Sequence, residues 1–379
     1  MAREIYLDNS ATTQVFPRVA EKMTRVLVEN YGNPSSLHKK GFEAEKIIKE
    51  ARQEIAQTLR VDASELYFCS GGTEANNWVI KGIAKRYGKR GRHIISTAIE
   101  HPAVLNPLEE LAEEGFDITI LPVDKSGSIS LDDLKKSLRQ DTILLSMMHV
   151  NNELGTILPV QEVGEILKGT SVFFHVDAVQ SFGKVELQPK VWGIHALSVS
   201  AHKIHGPKGI GALYIDKRLN LPPYLSGGGQ ERAKRAGTEN TTGIAGFGEA
   251  VKVLKEQDIS GKVKSIKDVL LAGLVSIPGV HFNGSPDKYA TPIINVWFEG
   301  IDKGEVLLHL LEEDGLYVST GSACHSRKPE PSHVLKAIGS GKEALFGAIR
   351  LSIGALNTEE EMHEAVQIIK KRVQELQRM

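Results

Sequence analysis

Short apolar segments alternate with amphipathic helical segments along the first two thirds of the chain. Continuously apolar segments predict buried strands at 66–69, 93–96, 118–121, 142–147, 172–176 and 196–200. Helical periodicity predicts helices between them, at 43–59, 74–87 and 104–113. Strands that are buried on both faces and separated by helices are typical of a mainly parallel sheet with helices on both sides. The pattern therefore predicts an α/β fold, with the strand at 211–215 antiparallel or at an edge.

The pattern changes after Gly243. Strands become fewer, and the segments between them are charged helices. We predict helices that end near 256 and span 261–275, 305–313 and 359–377, with strands at 293–298, 317–319 and 348–353. Thr358 and Glu361 have the spacing of a capping box at the start of the last helix. This part of the chain is therefore predicted to form a smaller α+β domain.

Composition and charge narrow the class of protein. The 379 residues suggest two domains, or one large core with a smaller partner. Lys and Arg number 46 against 47 Asp and Glu, so no net field favours nucleic acid or an anionic membrane. The two cysteines are far apart and predict no disulfide framework. With no apolar signal segment at the start and no apolar run long enough to span a bilayer, we expect a cytoplasmic protein.

A lysine follows the predicted strand 196–200. Lys203 stands among small and hydrogen-bonding residues, in Ser-Ala-His-Lys, before a turn at Gly206 and Pro207. Partial desolvation at such a position would lower the pKa of the amine and let it attack a carbonyl carbon. Lys203 is therefore a candidate Schiff-base lysine, although a surface lysine in a loop would give the same local pattern.

Two further strand ends carry candidate ligands. Gly72 and Thr73, in Ser-Gly-Gly-Thr-Glu, connect a strand to a helix and could bind a phosphate, although a capped helix start has the same composition. Asp177 follows the strand 172–176 and could pair with a protonated pyridine nitrogen, unless it only caps a helix. Lys203 follows Asp177 by 26 residues, about one crossover, so both should lie at the same edge of the sheet.

Three other residues could contact a ligand. Asn152 could donate to a ring oxygen or a substrate carboxylate, or serve only the turn. His101, before a predicted helix, could stack on a ring or move protons. Arg350, within an apolar strand, could bind a substrate carboxylate or form a structural ion pair.

The two cysteines have different surroundings. Cys324 lies in a segment of small residues and proline with His325, Arg327 and Lys328 nearby, which should favour an exposed thiolate. Cys69 lies in an apolar strand and is expected to be inert. His175 with Asp177, or His202 with His205, could be metal ligands. The spacing of His202 and His205 is not a standard zinc pattern and no cysteine pair accompanies it, so we expect no intrinsic metal.

Taken together, the motifs resemble those of the group I, NifS/IscS-like cysteine desulfurases of the class V aminotransferase family. The resemblance covers nearly the whole chain in order. Its motifs are Leu-Asp-Asn-Ser-Ala-Thr-Thr at 7–13, Gly-Gly-Thr-Glu-Ala-Asn-Asn at 71–77, Glu-His at 100–101, Asn-Asn-Glu-Leu-Gly at 151–155, His-Val-Asp-Ala-Val-Gln at 175–180, Ser-Ala-His-Lys at 200–203, Gly-Gly-Gly-Gln-Glu at 227–231, Arg-Ala-Gly-Thr at 235–238, Gly-Ser-Ala-Cys at 321–324 and Ile-Arg at 349–350.

The resemblance implies a fold and a cofactor. The fold is that of the pyridoxal 5′-phosphate (PLP) enzymes of fold type I, which resemble aspartate aminotransferase, and a homodimer is expected. A large domain at 15–258 would bind PLP on a mainly parallel seven-stranded sheet. A small α+β domain would combine 1–14 with 259–379 and carry the catalytic cysteine.

The resemblance also implies roles for site residues. Catalysis would use Lys203, which binds the cofactor covalently, Cys324, which forms a persulfide, and His101, which stacks on the ring. The cofactor would further contact Gly72, Thr73, Asn152, Asp177, Gln180, Ser200 and His202, with Thr238 reaching the phosphate in the other subunit. Arg350 and Asn152 would bind the substrate, L-cysteine.

Several alternatives stay open. A selenocysteine lyase of the same fold is the main one, and a cysteine sulfinate lyase is another, although neither needs an exposed cysteine such as Cys324. A nucleotide-binding ATPase is disfavoured because the Gly72 turn lacks the P-loop lysine, and a non-enzymatic sulfur carrier would lack PLP. His325 and Ser326 depart from the Thr-Ser of well-known members.

The expected partner is a sulfur acceptor. It would be an iron–sulfur scaffold, on which Cys324 could transiently ligate a cluster, or a tRNA-thiolation enzyme. The short segment after the last predicted helix leaves scaffold docking open. No direct nucleic-acid or membrane contact is expected.

Overall fold

A computed structural model describes residues 4–257, 259–286, 288, 291–320 and 331–378. Its strands are β1 (Ile5–Tyr6), β2 (Leu66–Cys69), β3 (His93–Thr97), β4 (Asp117–Leu121), β5 (Thr142–Met148), β6 (Phe173–Asp177), β7 (Ala196–Ser200), β8 (Gly211–Ile215), β9 (Val280–Asn283), β10 (Ile293–Phe298), β11 (Leu316–Tyr317) and β12 (Ile349–Ser352). Its helices are α1 (Pro17–Glu29), α2 (Lys39–Leu59), α3 (Gly72–Tyr87), α4 (Pro102–Glu113), α5 (Leu131–Ser137), α6 (Val160–Leu167), α7 (Thr241–Glu256), α8 (Ile259–Val275), α9 (Gly304–Glu313), α10 (His333–Ala337), α11 (Lys342–Gly347) and α12 (Glu359–Gln377).

The main sheet has seven strands in the order β2-β8-β7-β6-β5-β3-β4. The pairs from β7 to β4 are parallel, whereas β8 is antiparallel to both β2 and β7. This confirms the mainly parallel α/β fold and the antiparallel direction of 211–215. The alternative edge position for that strand is wrong, because β2 pairs with its free side and takes the edge. As a result, β2, β3, β5, β6 and β7 all end at the same edge of the sheet.

The main sheet separates two apolar cores. Successive strand residues face opposite sides, so Leu144 joins the core with α3 and α4, whereas Leu145 joins the core with α1, α2, α6 and α7. The helices of the second core pack closely: a Cβ on Gly248 of α7 would lie 2.7 Å from the Ala51 Cα of α2. Because helices pack on both faces of the sheet, the sheet is held rigidly, and so are the ends of its strands.

A further core combines the start of the chain with its last third. Ile5 and Leu7 pack with apolar residues of α8, α9, α12, β10 and β12. Strand β1 pairs in parallel with β11, and β10 lies between β9 and β12 in a three-stranded antiparallel sheet. The capping box of Thr358 and Glu361 is present at the start of α12. The division of the chain at 15–258 stays a prediction.

None of the helices in the described part of the chain is both long and apolar enough to cross a bilayer.

Candidate active site

The ends of the parallel strands surround a cavity of about 360 Å³. Asp177 ends β6, Met148 ends β5 and Ser200 ends β7. In an open α/β sheet, ligands bind at the carboxyl ends of the strands, and this cavity lies there. It is lined by Ser10, Ala11, Gly72, Thr73, Asn76, His101, Met148, Val150, Asn152, Asp177, Val179, Gln180, Ser200, His202, Lys203 and Arg350.

Lys203 lies on the wall of this cavity. A 3₁₀ turn at Ala201–Lys203 follows β7 directly and brings the side chain back over the strand end. The amine donates hydrogen bonds to the carbonyl oxygens of Ser10 and Ala11, the second over 2.7 Å. Because two backbone acceptors hold Nζ at the cavity, the amine is placed where a bound carbonyl compound would meet it.

Asp177 presents a fixed carboxylate to the cavity. Asn76 Nδ2 donates to Asp177 Oδ2 over 2.6 Å, and the Val179 amide donates to Oδ1 over 3.0 Å. Both contacts orient the carboxyl group, and the residue is only 7% exposed. A buried anion of this kind suits a protonated ring nitrogen. Gln180, the residue after Val179, donates from Nε2 to the Ser10 carbonyl oxygen over 2.9 Å.

His101 is the N-cap of α4. Its Nδ1 accepts a hydrogen bond from the Ala103 amide over 3.0 Å, so the neutral ring carries its proton on Nε2. Burial lowers the pKa of His101, and Asp177 opposes that shift while the charge of Lys203 adds to it. A neutral imidazole beside the cavity can stack on a planar ring or exchange a proton at Nε2.

An anion-binding corner joins the cavity. Helix α3 begins at Gly72 without a side-chain cap, so its first N–H groups are available there. Thr73, Ser200 and His202 line the same corner, which opens into an adjoining cavity of about 510 Å³. Burial, assisted by the charges of nearby lysines, lowers the pKa of His202 to about 4. The corner therefore offers a neutral imidazole and two hydroxyls to a phosphate.

Arg350 provides the cation on the opposite wall. Its Nη2 donates to Asp8 Oδ1 over 2.7 Å and its Nη1 to the Asn152 carbonyl oxygen over 3.1 Å. The Nε atom is buried and has no hydrogen-bond partner among the described residues. A guanidinium that is 3% exposed and keeps a free N–H can bind a carboxylate that enters the cavity.

Of the twelve predicted site residues, ten line this cavity. They are Gly72, Thr73, His101, Asn152, Asp177, Gln180, Ser200, His202, Lys203 and Arg350. Thr238 is exposed and does not line it. Cys324 belongs to 321–330 and lies outside the described residues. Their roles stay predictions.

The histidines considered as metal ligands have other surroundings. His175 hydrogen-bonds Ser146 and Ser198 within the sheet, and burial lowers its pKa to about 3. His205 Nδ1 hydrogen-bonds the Gln14 carbonyl oxygen over 2.8 Å. Within the described part of the chain, no group of three or more His, Cys, Asp or Glu side chains could hold a metal ion.

Sequence analysis missed several residues of the site. It gave no role to Asn76 or Asp8, the partners of Asp177 and Arg350, or to the carbonyl groups of Ser10 and Ala11. The motifs at 7–13 and 71–77 contain all four and were the available signal. It also missed Lys184, whose pKa is lowered to about 7 by burial and by the charge of Lys203.

Glu100 is a buried carboxyl next to His101. Its Oε1 accepts hydrogen bonds from Thr97 Oγ1 over 2.6 Å and from the Met148 amide over 2.9 Å. Burial nevertheless raises the pKa of Glu100 to about 8. The carboxyl is therefore mostly protonated at neutral pH.

The residues of the cavity fit PLP. The buried Asp177 carboxylate suits the ring nitrogen, and the Lys203 amine suits the aldehyde. The anion-binding corner suits the phosphate. Gly72 fits too: a Cβ there would lie 2.6 Å from Val179 Cγ2, so only glycine lets the start of α3 approach the turn after β6. The cavity thus holds a matching group for each functional part of the cofactor.

Gly72→Ala is expected to weaken binding of PLP about 10-fold, since overpacking of this size costs about 1–3 kcal/mol. The added methyl group would press on Val179, whose β-branched side chain has little freedom to move, and would displace the start of α3. Titration of the cofactor-free protein with PLP measures the affinity. Gly341→Ala is the control, because no atom lies within 4 Å of a Cβ there. Equal affinities for the two variants would contradict the role of Gly72.

Comparison with known proteins agrees with this geometry. The family model of the class-V aminotransferases matches residues 5–364. The chain is 46% identical over 379 residues to the cysteine desulfurase IscS of Methanosarcina thermophila, covering 100% of this chain and 94% of the relative. A solved structure of a NifS-like protein has a TM-score of 0.90 and 39% identity, with 97% of this chain and 99% of that chain covered. A structure of SspA in complex with cysteine has a TM-score of 0.83 and 35% identity, with coverage of 94% and 100%.

Matches of this length and identity, together with a cavity that fits PLP, place the chain in the class-V aminotransferase family, among the cysteine desulfurases of the IscS/NifS type.

Proposed function

We propose that this protein is a PLP-dependent cysteine desulfurase, which converts L-cysteine to L-alanine and keeps the sulfur as a persulfide on Cys324. One observation carries the proposal: an amine, a buried carboxylate and a partly unpaired guanidinium, from Lys203, Asp177 and Arg350, line a single cavity. Those three groups match the aldehyde and ring nitrogen of the cofactor and the carboxylate of an amino-acid substrate. The relatives named as cysteine desulfurases support the choice of substrate.

PLP, when bound, withdraws electrons from the bonds at the α-carbon of the substrate. Asp177 supports that chemistry by holding a negative charge at the ring nitrogen. Asn76 and the Val179 amide hold the carboxyl group in one orientation. Gln180 is placed to bond the ring oxygen, and Thr73, Ser200 and His202 to hold the phosphate. Each role is a prediction that the lining of the cavity supports.

Two groups at the cavity carry out proton transfer in this proposal. The amine of Lys203, once exchanged for that of the substrate, is a base placed to take the α-proton. His101 is neutral, because burial lowers its pKa, and holds its proton on Nε2. We infer that it donates or accepts a proton on the substrate side of the ring.

Arg350 orients the substrate. Its free Nε is available for the carboxylate of cysteine, while Asp8 and the Asn152 carbonyl oxygen fix the two Nη atoms. Asn152 itself lines the cavity and can donate to the same carboxylate. A substrate whose carboxylate is held at Arg350 and whose amine takes the place of the Lys203 amine is fixed at two points, which restricts the direction of its thiol group.

Sulfur transfer then uses Cys324. Its thiolate attacks the sulfur atom of the substrate, so an S–S bond forms while the C–S bond breaks. The electron pair of the C–S bond stays on the carbon and takes a proton, which gives the methyl group of alanine. Cys324 retains the sulfur as a persulfide, and the exchange needs no external oxidant or reductant. Attack of thiolate on sulfur depends on the thiolate fraction and on approach.

Arg350→Lys is expected to raise the KM for cysteine roughly 10- to 100-fold, because a lysine cannot offer the planar fork that a carboxylate needs. Binding of PLP should stay near normal, since Arg350 is not among the groups assigned to the cofactor. Steady-state alanine formation against cysteine concentration measures KM. Arg218→Lys is the matched control, since Arg218 pairs with Asp216 in a largely exposed position. An unchanged KM would remove Arg350 from substrate binding.

The overall proposal is tested by an absorbance spectrum and a product assay. Purified protein should be yellow and should release equal amounts of alanine and sulfide from cysteine with a reductant present. A colourless protein that forms no alanine would refute it. Rates on cysteine and selenocysteine, compared side by side, separate the desulfurase from a selenocysteine lyase, which would prefer the selenium substrate.

We further propose a cytoplasmic homodimer that passes sulfur to an acceptor protein, either an iron–sulfur scaffold or a tRNA-thiolation enzyme. The exposed position of Thr238 is compatible with a contact to the phosphate of the other subunit. Sedimentation gives the oligomeric state, and mixed variants of Thr238 and Lys203 test whether one subunit completes the site of the other. Sulfide release with each acceptor added identifies which one stimulates turnover.

A further inference from the structure

The segment that contains Cys324 begins next to the substrate-binding arginine. Ser319 and Arg350 exchange backbone hydrogen bonds: the Ser319 amide donates over 3.1 Å and the Arg350 amide over 2.6 Å. Ser319 is 3% exposed, and Cys324 follows it by five residues. The entry to the segment is therefore fixed relative to the guanidinium that is proposed to bind the substrate carboxylate.

The same segment ends on residues that neighbour two other site residues. Ser332 Oγ donates to Glu153 Oε2 over 2.5 Å, and both side chains are buried, at 5% and 4% exposed. His333 Nε2 hydrogen-bonds the Glu100 carbonyl oxygen over 2.9 Å. Glu153 follows Asn152 in the chain, and Glu100 precedes His101. The exit of the segment is therefore tied to the cavity by two hydrogen bonds.

Glu153 is rigidly mounted. Its amide and that of Leu154 both donate to Asn151 Oδ1 over 2.9 Å, which closes the turn after β5. Asn151 Nδ2 in turn donates to the Ile99 carbonyl oxygen over 3.0 Å. Arg350 Nη1 bonds the Asn152 carbonyl oxygen of the same turn. One turn thus fixes both the exit of the segment and the guanidinium at its entry.

Burying the carboxyl group of Glu153 beside Ser332 costs desolvation free energy. Burial raises the pKa of Glu153 to about 7, although the Ser332 hydrogen bond and the charge of Arg350 act in the opposite direction. An apolar pair would pack there without the desolvation penalty. It would not fix the direction of Ser332, whereas a short hydrogen bond does. The contact between Glu153 and Ser332 is therefore better suited to positioning Ser332 than to filling the core.

We propose that Glu153 is a positioning residue for sulfur transfer: through Ser332 it fixes the exit of the segment that contains Cys324 to the turn that bears Asn152. The inference rests on the proposed function and deepens it. A displacement of about 1 Å can reduce the rate of a step by on the order of 100-fold. Removal of this contact should therefore slow the attack of Cys324 on the substrate sulfur, without affecting the binding of PLP or cysteine.

The test uses Glu153→Ala, Ser332→Ala and the double variant in the PLP-loaded protein. Each variant is mixed rapidly with cysteine, without a sulfur acceptor, and followed for one turnover. The experiment gives two readouts: the spectral change on cysteine binding and the rate of alanine formation in the first turnover. We expect an unchanged spectral change and an alanine rate lower by on the order of 100-fold in both single variants. Ser332 Oγ also accepts a hydrogen bond from the Leu335 amide, so the double variant should be no slower than Ser332→Ala, in which the contact with Glu153 is already lost. Glu153→Gln keeps an acceptor oxygen and should restore most of the rate.

A matched control separates positioning from general destabilisation. Glu65 is also buried, at 3% exposed, and pairs with Lys190 away from the cavity. Glu65→Ala should lower thermal stability and leave the first-turnover rate unchanged. If Glu153→Ala does not fold, Ser332→Ala decides the question.

Two results would overturn the inference. The first is a normal first-turnover rate in Ser332→Ala and Glu153→Ala. The second is a loss of cofactor absorbance that parallels the loss of rate, which would make the contact structural only. A wild-type protein that forms no alanine would instead refute the proposed function itself, so the two failures are distinguishable.

Discussion

Cys324→Ala is expected to bind PLP and L-cysteine normally but to form alanine and sulfide at least about 10³-fold more slowly than the wild-type protein. Loss of a catalytic nucleophile lowers rates by factors of this size. In the proposed mechanism, Arg350 holds the substrate carboxylate and the Lys203 amine takes the α-proton before the sulfur leaves. Without a thiolate to accept that sulfur, the C–S bond has no partner for exchange. The spectral change on cysteine binding should therefore persist while the product is absent.

The second cysteine supplies the control for this experiment. Cys69 lies at the end of β2 and is 3% exposed, and burial raises the pKa of its thiol to about 12. It is therefore a poor nucleophile, and Cys69→Ala should keep its activity. Mass spectrometry after one turnover should find one added sulfur atom on the peptide with Cys324. Sustained sulfide release by Cys324→Ala would reject the role of this residue.

The strands were the most predictable part of the fold. The strands Leu66–Cys69, Ala196–Ser200 and Ile293–Phe298 have the bounds that the apolar pattern predicts. A strand that is buried on both faces is mostly apolar, and turn residues that follow it mark where it leaves the core. Helix α12 was equally clear, since its capping box marks its start. Local chemistry alone determines these boundaries.

Other elements depended on contacts that are distant in sequence. Sequence analysis left out α1, although Val19 and Val26 are buried with helical spacing, because no side-chain cap precedes Pro17. The eight residues of α6 give too short a periodic pattern. The internal position of β8 follows from its pairing with β2, more than 140 residues earlier. Strand order is a property of the whole sheet, and a local pattern does not contain it.

The residues of the cavity also divide into those that could be predicted from the sequence and those that depend on distant contacts. Lys203 and Asp177 could be predicted because Asp177 ends a buried strand and Lys203 closely follows the next one, and parallel strands bring such ends together. Asn76 was less predictable, because its amide has a role only once α3 lies against the end of β6. The acceptors of the Lys203 amine are backbone carbonyl groups, which every residue has. Reactive side chains at strand ends can thus be predicted from the sequence, whereas the groups that hydrogen-bond them cannot.

Lys203→Ala is expected to abolish the covalent capture of PLP, with loss of the yellow absorbance and of all alanine formation. Nζ of Lys203 lies at the cavity, held by the carbonyl oxygens of Ser10 and Ala11. A second amine, that of Lys184, has a pKa lowered to about 7 by burial and by the charge of Lys203, so it too could react with an aldehyde. It lines a neighbouring cavity of about 250 Å³ that Lys203 also borders.

Borohydride reduction followed by peptide mapping distinguishes the two amines, because it makes the bond between lysine and cofactor permanent. In the wild-type protein the cofactor should be found on the peptide with Lys203, and Lys184→Ala should stay yellow. Lys184 lines the neighbouring cavity, whereas Asp177, Thr73 and Ser200 line the main one, so an aldehyde bound in the neighbouring cavity would lack these partners. Cofactor on Lys184 in the wild-type protein, or an unchanged spectrum in Lys203→Ala, would reject Lys203 as the anchor and with it the orientation of the substrate derived above.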